Sequence, residues 1–106
     1  MDTQFKKGVI EVCVLNEIKK ADNYGYNLVK SLSRVLEIGE STIYTMLRKL
    51  TNEGNLDVYE KAGSDGPRRK YYTLTNNGEH KLFLLVNEWE VFIKKINNLI
   101  GGLTDE

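Results

Sequence analysis

The chain has 106 residues, a length that favours one domain with at most one appended element. Fifteen basic and fifteen acidic side chains give a formal net charge of zero, which disfavours a protein that coats nucleic acid regardless of sequence. One cysteine and one histidine exclude an intrachain disulfide and a zinc site of four Cys or His ligands. Glu11 and Asn16 interrupt the first apolar stretch, so we expect a cytoplasmic protein without a membrane span or signal peptide.

Two helices are predicted in the first third of the chain. Apolar residues at helical spacing over 5–18 predict a mostly buried first helix. The polar break at 21–23 is expected to cap a second helix over 24–36. The predicted buried face of that second helix consists of Tyr24, Leu28, Leu32 and Val35. Gly25, in its first turn, costs about 1 kcal/mol of helix stability unless close packing requires it.

A short turn at 37–40 leads to a third predicted helix, from about Glu40 to Glu53. Gly54 follows it as a left-handed C-cap. The expected buried stripe consists of Ile43, Met46, Leu47 and Leu50.

A β-hairpin is predicted next. Residues 56–60 alternate Leu56 and Val58 with more polar neighbours, and 69–74 are rich in β-forming side chains. The loop at 61–67 between them contains glycines and the only proline, as hairpin connections do.

One long helix is predicted to close the chain. Thr75 is expected to cap it, and it runs to about Ile100 before Gly101 and Gly102. Its apolar residues form three columns with a spacing of seven: Leu82, Trp89 and Ile96; Leu85, Phe92 and Leu99; Val86, Ile93 and Ile100.

Three helices, a hairpin and a long helix are the element order of a winged helix-turn-helix, although many other α+β domains share this order. We therefore predict an α+β, mainly α fold. Residues 1–75 are expected to form the winged helix-turn-helix domain and 76–102 a C-terminal dimerisation helix. Residues 103–106 are expected to be a frayed tail.

The third helix has a side that suits DNA. Ser41, Thr45, Arg48 and Asn52 are predicted to point away from the core, flanked by Thr42, Tyr44 and Lys49. No acidic residue occurs from Ser41 to Asn52. Hydroxyls, an arginine and a helix N-terminus are the groups that approach phosphates and base edges. A plainer explanation is the solvated side of an amphipathic helix.

The predicted hairpin carries a cluster of basic residues, Lys61, Arg68, Arg69 and Lys70, opposed only by Asp65. A basic hairpin tip with Gly and Pro suits a wing that follows the DNA backbone or enters the minor groove. The same cations also prevent an exposed strand edge from pairing with another chain, and this alternative stays open.

The long helix also predicts a dimer. About 25 residues extend over roughly 38 Å, which exceeds the small domain that precedes them. Phe92, Ile96, Leu99 and Ile100 lie in its far half and need an apolar partner, for which a symmetry-related copy is the simplest choice. The alternative is that the helix folds back on the first helix of its own chain.

Several segments together resemble the PadR-like family of regulators. They are KKGVIEVCVLNEI, DNYGYNLVKSL, ESTIYTMLRKLTNEG, GPRRKYYTLTNNG and NEWEVFIKKINNL, in the family's order and over nearly the whole chain. The most specific are YGY, STIYTMLRKL and GPRRKYY leading into TLTNNG. The chain is similar to the short subgroup with one C-terminal helix, and departs from it at Thr45, where many members have proline.

The resemblance implies a bacterial, cytoplasmic repressor that binds a near-palindromic operator as a homodimer. Its third helix would enter the major groove, its wing would lie on the flanking backbone, and its last helix would dimerise. In drug-responsive members a tryptophan at the place of Trp89 stacks on flat aromatic ligands between subunits. A small aromatic effector would then lie at the interface formed by Val86, Trp89, Phe92, Ile93 and Ile96. Ordinary packing of Trp89 in the interface is the alternative.

The resulting expectation is a regulator of duplex DNA with no catalytic residues, metal ligands or cofactor. The DNA-binding residues would be Ser41, Thr42, Tyr44, Thr45, Arg48, Lys49, Lys61, Arg68, Arg69 and Lys70. The main alternative is a winged helix that binds another protein, which would not need an acid-free helix surface and a basic wing. A redox role for Cys13 is disfavoured by its apolar neighbours, and His80 is expected to be solvated.

Overall fold

The computed structural model describes the backbone of residues 3–63 and 66–101, and side chains from residue 8 onwards in those ranges. The predicted frayed tail at 103–106 and Asp65 lie outside the described residues. The elements are α1 (Thr3–Lys20), β1 (Asn23–Tyr24), α2 (Gly25–Leu36), α3 (Glu40–Asn52), β2 (Leu56–Ala62), β3 (Arg68–Leu74) and α4 (Asn76–Ile100). This order confirms the predicted mainly helical α+β architecture with a wing and a long last helix.

The core lies between α1, α2, α3 and the base of the hairpin. The predicted stripe of α3 is confirmed, because Ile43, Met46, Leu47 and Leu50 are all buried. From α1, Ile10, Val14, Leu15 and Ile18 face the same core. The opposite side of α3 is therefore free to face solvent.

The predicted face of α2 is partly wrong. Val35 is 69% exposed, whereas Val29 is fully buried. The core contacts the row of Leu28, Leu32 and Leu36 spaced by four residues, and Val35 lies outside it.

The start of α2 also differs from the prediction. Tyr24 is an extended N-cap without a side-chain cap hydrogen bond, so residues 21–23 do not cap the helix. Gly25 is needed for close packing, since a Cβ there would be 2.9 Å from Cε2 of Tyr72.

The sheet has three antiparallel strands in the order β1-β3-β2, and β1 was not predicted. Asn23 of β1 pairs with Tyr72, and in the hairpin Leu56 pairs with Leu74. Only the base of β2 is buried, and Val58 is 37% exposed, contrary to the predicted alternation. Every residue of β2 after Leu56 is exposed, so the outer part of this strand faces solvent on both sides.

The predicted helix ends at Gly54 and Thr75 are confirmed, although the C-cap of α3 itself is Glu53. Gly54 has φ +81°, one residue beyond the cap of α3 at Glu53. Thr75 Oγ1 accepts a hydrogen bond from the Gly78 backbone N–H at 3.0 Å. The same hydroxyl donates to the carbonyl oxygen of Gly54 at 2.7 Å, and the Thr75 N–H donates to that of Asn55 at 3.2 Å. These bonds join the start of α4 to the end of α3.

The helix α4 extends beyond the body of the protein. The molecule is therefore elongated and measures 54 Å along its longest axis and 28 and 24 Å along the other two. Leu82 is buried, and Leu85 and Val86 pack against the core. Farther along, Leu99 is 82% and Ile100 60% exposed. Within the described residues, no helix has the length and apolar character needed to cross a membrane.

Replacing Gly78 by alanine tests the contact between α4 and α3. A Cβ at Gly78 would overlap the backbone oxygen of Asn55, which no side-chain movement relieves. We expect Gly78→Ala to lower the free energy of unfolding by about 2–3 kcal/mol, as overpacking does. The measurement is chemical denaturation followed by circular dichroism.

Gly8→Ala is the matched control in another helix. A Cβ at Gly8 would meet Cζ2 of Trp89 at 3.7 Å, an ordinary contact. The gain in helix propensity should make Gly8→Ala neutral or about 0.5–1 kcal/mol more stable. Equal stability of the two variants would contradict the close contact at Gly78.

Candidate nucleic-acid interface

The side of α3 opposite the buried stripe faces solvent. Its exposed residues are Ser41, Tyr44, Thr45, Arg48 and Asn52, with Thr42 half-buried beside them. Glu40, the acidic residue that precedes them, is engaged by Lys30 at 2.9 Å. The N-cap is Gly39, which has no side chain that could bond to the first N–H groups of α3. This side of α3 therefore presents polar groups beside a helix N-terminus, which favours an anion.

Thr45 occupies the position at which the chain departs from the family pattern. Its Oγ1 donates to the backbone oxygen of Ser41 at 2.9 Å. This bond to the preceding turn is common for threonine in helices. Because the hydroxyl proton is engaged, Thr45 offers an acceptor and a methyl group to a neighbouring molecule.

Lys49 was predicted with this group, but its ammonium lies elsewhere. It is 3.3 Å from the Glu11 carboxylate on α1 and 3.4 Å from that of Glu53. Lys81 of α4 contacts the same two carboxylates at 2.7 and 3.2 Å. The four side chains form a closed arrangement of alternating charge, which we call the junction ring.

The junction ring affects the titration of its members. A hydrogen bond from Lys81 holds the pKa of Glu53 below its ordinary value. Burial lowers the pKa of Lys81, but the hydrogen bonds to Glu11 and Glu53 outweigh it and the net pKa is raised. Both groups are thus held in their charged forms at neutral pH.

The four basic residues of the wing do not form one patch. Successive side chains of a strand point to opposite sides, so Arg68 and Lys70 share the face of the buried Tyr72. Lys61 and Arg69 pair across the strands on the other face. The structure thus brings two of the four predicted wing residues to the side that carries Tyr72.

Glu60 also reduces the charge of the wing. Nε of Arg68 is 3.4 Å from its carboxylate, and Nη2 donates to its backbone oxygen at 3.3 Å. The expectation that Asp65 alone opposes these cations is therefore wrong. The sequence separation of eight residues hid this contact, which the hairpin register creates.

Tyr72 interacts electrostatically with two residues of α3 and was not predicted as part of the site. Burial raises the pKa of its phenol, the neighbouring Tyr44 raises it further, and Arg48 lowers it. Tyr44 and Arg48 of α3 thus act electrostatically on the Tyr72 phenol. We call the combined surface of Ser41, Tyr44, Thr45, Arg48, Arg68 and Lys70 the α3–wing surface. Tyr72 is the buried residue on the strand that carries Arg68 and Lys70.

The other face of the sheet carries a row of tyrosines. Tyr71 stacks on Tyr59 with a centroid distance of 5.7 Å and lies 5.9 Å from Tyr24. Lys61 lies over the ring of Tyr71 and Arg69 over that of Tyr24, both at 4.9 Å. Cation–π contacts thus hold these two wing cations against the outer face of the sheet.

The predicted interface residues lie on one side of α4, between residues 86 and 96. Val86, Trp89 and Ile96 are half-buried, while Phe92 is 55% and Ile93 47% exposed. The Trp89 ring contacts Phe92 edge-on at 6.4 Å between centroids.

Trp89 also lies against Gly8 of α1 in the same chain. The alternative of a helix folded back on α1 thus holds for α4 as far as Trp89, and beyond it Phe92, Ile93, Leu99 and Ile100 are exposed.

Cys13 and His80 are the cysteine and the histidine of the chain, and both lie within the described residues. Cys13 is half-buried, and burial, with a smaller effect of Glu17, raises the pKa of its thiol. This direction disfavours the reactive thiolate. His80 is exposed, as expected. In the part of the chain that the structure describes, no group of three or more His, Cys, Asp or Glu is placed to hold a metal ion.

Comparison with known proteins identifies relatives over most of the chain. Residues 14–83 match the model of the transcriptional regulator PadR-like family. An uncharacterized protein of Lysinibacillus sphaericus is 31% identical over 101 residues, which cover 92% of this chain and 93% of that protein. A PadR-like transcriptional regulator from Bacillus cereus has a similar crystal structure, with TM-score 0.84, 34% identity and coverage of 94% and 99%. A Streptococcus transcriptional regulator gives TM-score 0.86, 33% identity and coverage of 94% and 100%.

Proposed function

Because this chain belongs to the PadR-like family of DNA-binding transcriptional regulators, we propose that it is a repressor that binds a near-palindromic operator as a homodimer. The family and the solved structures that this chain resembles are transcriptional regulators and not enzymes. The observation that supports the proposal best is the acid-free exposed side of α3, together with Arg68 and Lys70 on the Tyr72 face of the wing. It acts in the cytoplasm, where chromosomal DNA is accessible.

In this proposal α3 enters the major groove. Ser41 and the N-terminus of α3 contact a phosphate, and Tyr44 contacts the backbone beside it. Arg48, farther along the exposed side, reaches a guanine edge or a phosphate. The Thr45 methyl group suits the methyl of a thymine. Thr42 contributes from the edge of the surface, whereas the ion pairs of Lys49 direct it away from the groove.

The wing supplies contacts that do not depend on sequence. Arg68 and Lys70 lie on the Tyr72 face, where they meet phosphates flanking the major groove. Lys61 and Arg69 contribute long-range attraction from the other face of the hairpin. Glu60 moderates this attraction, which favours selectivity over tight non-specific binding.

A second copy covers the far half of α4 in the proposed dimer. Phe92, Ile93, Leu99 and Ile100 are exposed on one monomer, and a two-fold axis along this side buries both sets. Two α3 helices then lie about one DNA turn, roughly 34 Å, apart. The bound dimer would occlude a promoter, and a change in the angle between subunits would release it.

A flat aromatic effector is proposed to bind beside Trp89. Its indole is half-buried and its neighbour Phe92 is exposed, so the pair offers an aromatic surface at the proposed interface. Binding there would alter the packing of the two α4 helices. That change links the effector to the spacing of the α3 helices.

Arg48→Ala tests DNA binding by α3. The selected duplex is the one that the wild-type protein enriches from a random-sequence library. We expect a loss of about 1–3 kcal/mol in binding free energy and relaxed preference at one base pair. Fluorescence anisotropy at two salt concentrations measures both.

Lys95→Ala removes the same charge from the exposed surface of distal α4 and should bind DNA like wild type. An equal loss of DNA-binding free energy in both variants would mean that Arg48 contributes only through its positive charge. A wild-type protein that enriches no duplex would instead favour a winged helix that binds another protein.

Ile93→Glu tests the dimer. A carboxylate placed between two apolar helices must be desolvated, so the dimer dissociation constant should rise at least about a hundredfold. Asn98→Glu, on the exposed polar side of α4, should leave the dimer intact. Sedimentation equilibrium at micromolar concentration distinguishes them, and an unchanged Ile93→Glu dimer would refute the proposed interface.

Trp89→Ala tests the effector site with a planar aromatic dye as the probe. Loss of stacking should weaken dye binding by at least about tenfold, while the protein remains a dimer that binds DNA. Phe83→Ala removes an exposed ring from another side of α4 and should bind dye normally. If Trp89→Ala yields monomers, Trp89 is a packing residue and the effector proposal is wrong.

A further inference from the structure

We propose that the junction ring positions α3 relative to α4 and thereby determines which spacing between operator half-sites the dimer accepts. The proposal rests on the function proposed above, because the spacing exists only for a dimer on DNA. It assigns Glu11, Lys49, Glu53 and Lys81 a positioning role. None of the four needs to touch DNA.

The ring joins the three helices whose relative angles matter. Glu11 lies on α1, Lys49 on α3 and Lys81 on α4, and Glu53 is the C-cap of α3. Lys81 contacts Glu11 at 2.7 Å and Glu53 at 3.2 Å. Lys49 contacts the same carboxylates at 3.3 and 3.4 Å. Each charge therefore has two opposite neighbours, and a rotation of α3 against α4 separates at least one pair.

The Glu11–Lys81 side of the ring is more enclosed than an ordinary surface ion pair, whereas the side chains of Lys49 and Glu53 are 37% and 44% exposed. The Glu11 side chain is 14% exposed and that of Lys81 29%. An isolated charge in such a position is unfavourable, so the pairs resist separation more strongly than solvated ones. By contrast, Lys19 and Glu79 also join α1 to α4, but their side chains are 51% and 59% exposed and 3.6 Å apart.

Because the ring lies near the start of α4, a small change in helix angle at the ring causes a large displacement at the far end of the helix. Lys81 lies near the start of α4, and the helix extends another 19 residues to Ile100, about 28 Å. A tilt of about 10° at the ring displaces that end by about 5 Å relative to α3. One base-pair step is about 3.4 Å. A small loosening of the ring therefore permits an error of one base pair in half-site spacing.

The ring supplements a steric contact. Gly78 packs on the Asn55 backbone and fixes the point where α4 meets the end of α3. Apolar packing of Leu82, Leu85 and Val86 also holds the near half of α4 against the core. The ring lies one turn farther along α4 than Gly78 and adds charged contacts with fixed partners, so it limits the tilt that this packing still allows.

The test measures spacing preference, which a residue that only stabilises the fold would not change. The probe is the duplex selected by wild type from a random-sequence library, with its centre shortened or lengthened by one and two base pairs. Wild type should lose at least about tenfold in affinity for each one-base-pair change. Lys81→Met, which keeps the stem and removes the charge, should lose less than about threefold. Its affinity for a single half-site should equal that of wild type.

Three variants complete the design. Lys81→Arg keeps the cation and should retain the wild-type profile. Lys19→Met removes the exposed ion pair between α1 and α4 and should also retain it. Glu53→Gln, on the more exposed side of the ring, gives the same readout as Lys81→Met should that variant fail to fold.

The outcomes distinguish a failure of the positioning role from a failure of the proposed repressor function. A broadened spacing profile in Lys81→Met or Glu53→Gln, with Lys19→Met unchanged, supports the positioning role. A wild-type profile in both ring variants overturns it and leaves the repressor proposal standing. A wild-type protein that enriches no duplex overturns the proposed function and this inference together.

Discussion

The contact of Gly78 with the Asn55 backbone is the constraint on which the other parts of the molecule depend. It brings the first turn of α4 against the end of α3 so closely that no side chain fits between them. The Thr75 hydroxyl completes the attachment with one bond to each side. Because both helices leave this point in fixed directions, the free side of α3 and the apolar far half of α4 belong to one body. Recognition at one end and dimerisation at the other are thereby coupled.

Most of the fold follows from periodicity that local sequence carries. The stripe of α3 is unambiguous, because four apolar residues at helical spacing leave only one side for polar groups. Thr75 and Gly54 mark helix ends through backbone chemistry that does not depend on distant residues. The length of α4 and its apolar columns likewise predicted a helix that extends beyond the body. Such features survive because tertiary contacts reinforce them.

The remaining details depend on contacts between distant parts of the chain. Strand β1 has two residues and exists through its pairing with β3, so no local pattern announces it. Lys49 is predicted as a DNA contact beside Arg48, but its ammonium bonds to Glu11, 38 residues away in sequence, as part of the junction ring. The wing cations lie on two faces of the sheet. Side chains alternate along β3, and the pairing of Lys61 with Arg69 places Lys61 on the face of Arg69. Tyr72 was recoverable from sequence, since it lies two residues before Leu74 and shares its face.

A hydroxyl-radical footprint of the wild-type protein on its selected duplex tests the central claim most directly. The account places two copies, joined through α4, on DNA with their α3 helices about one turn apart. It predicts two protected blocks related by a two-fold axis, with centres about 10 base pairs apart, and two chains bound per duplex. A single protected block with one chain per duplex, or uniform protection without a boundary, would contradict it.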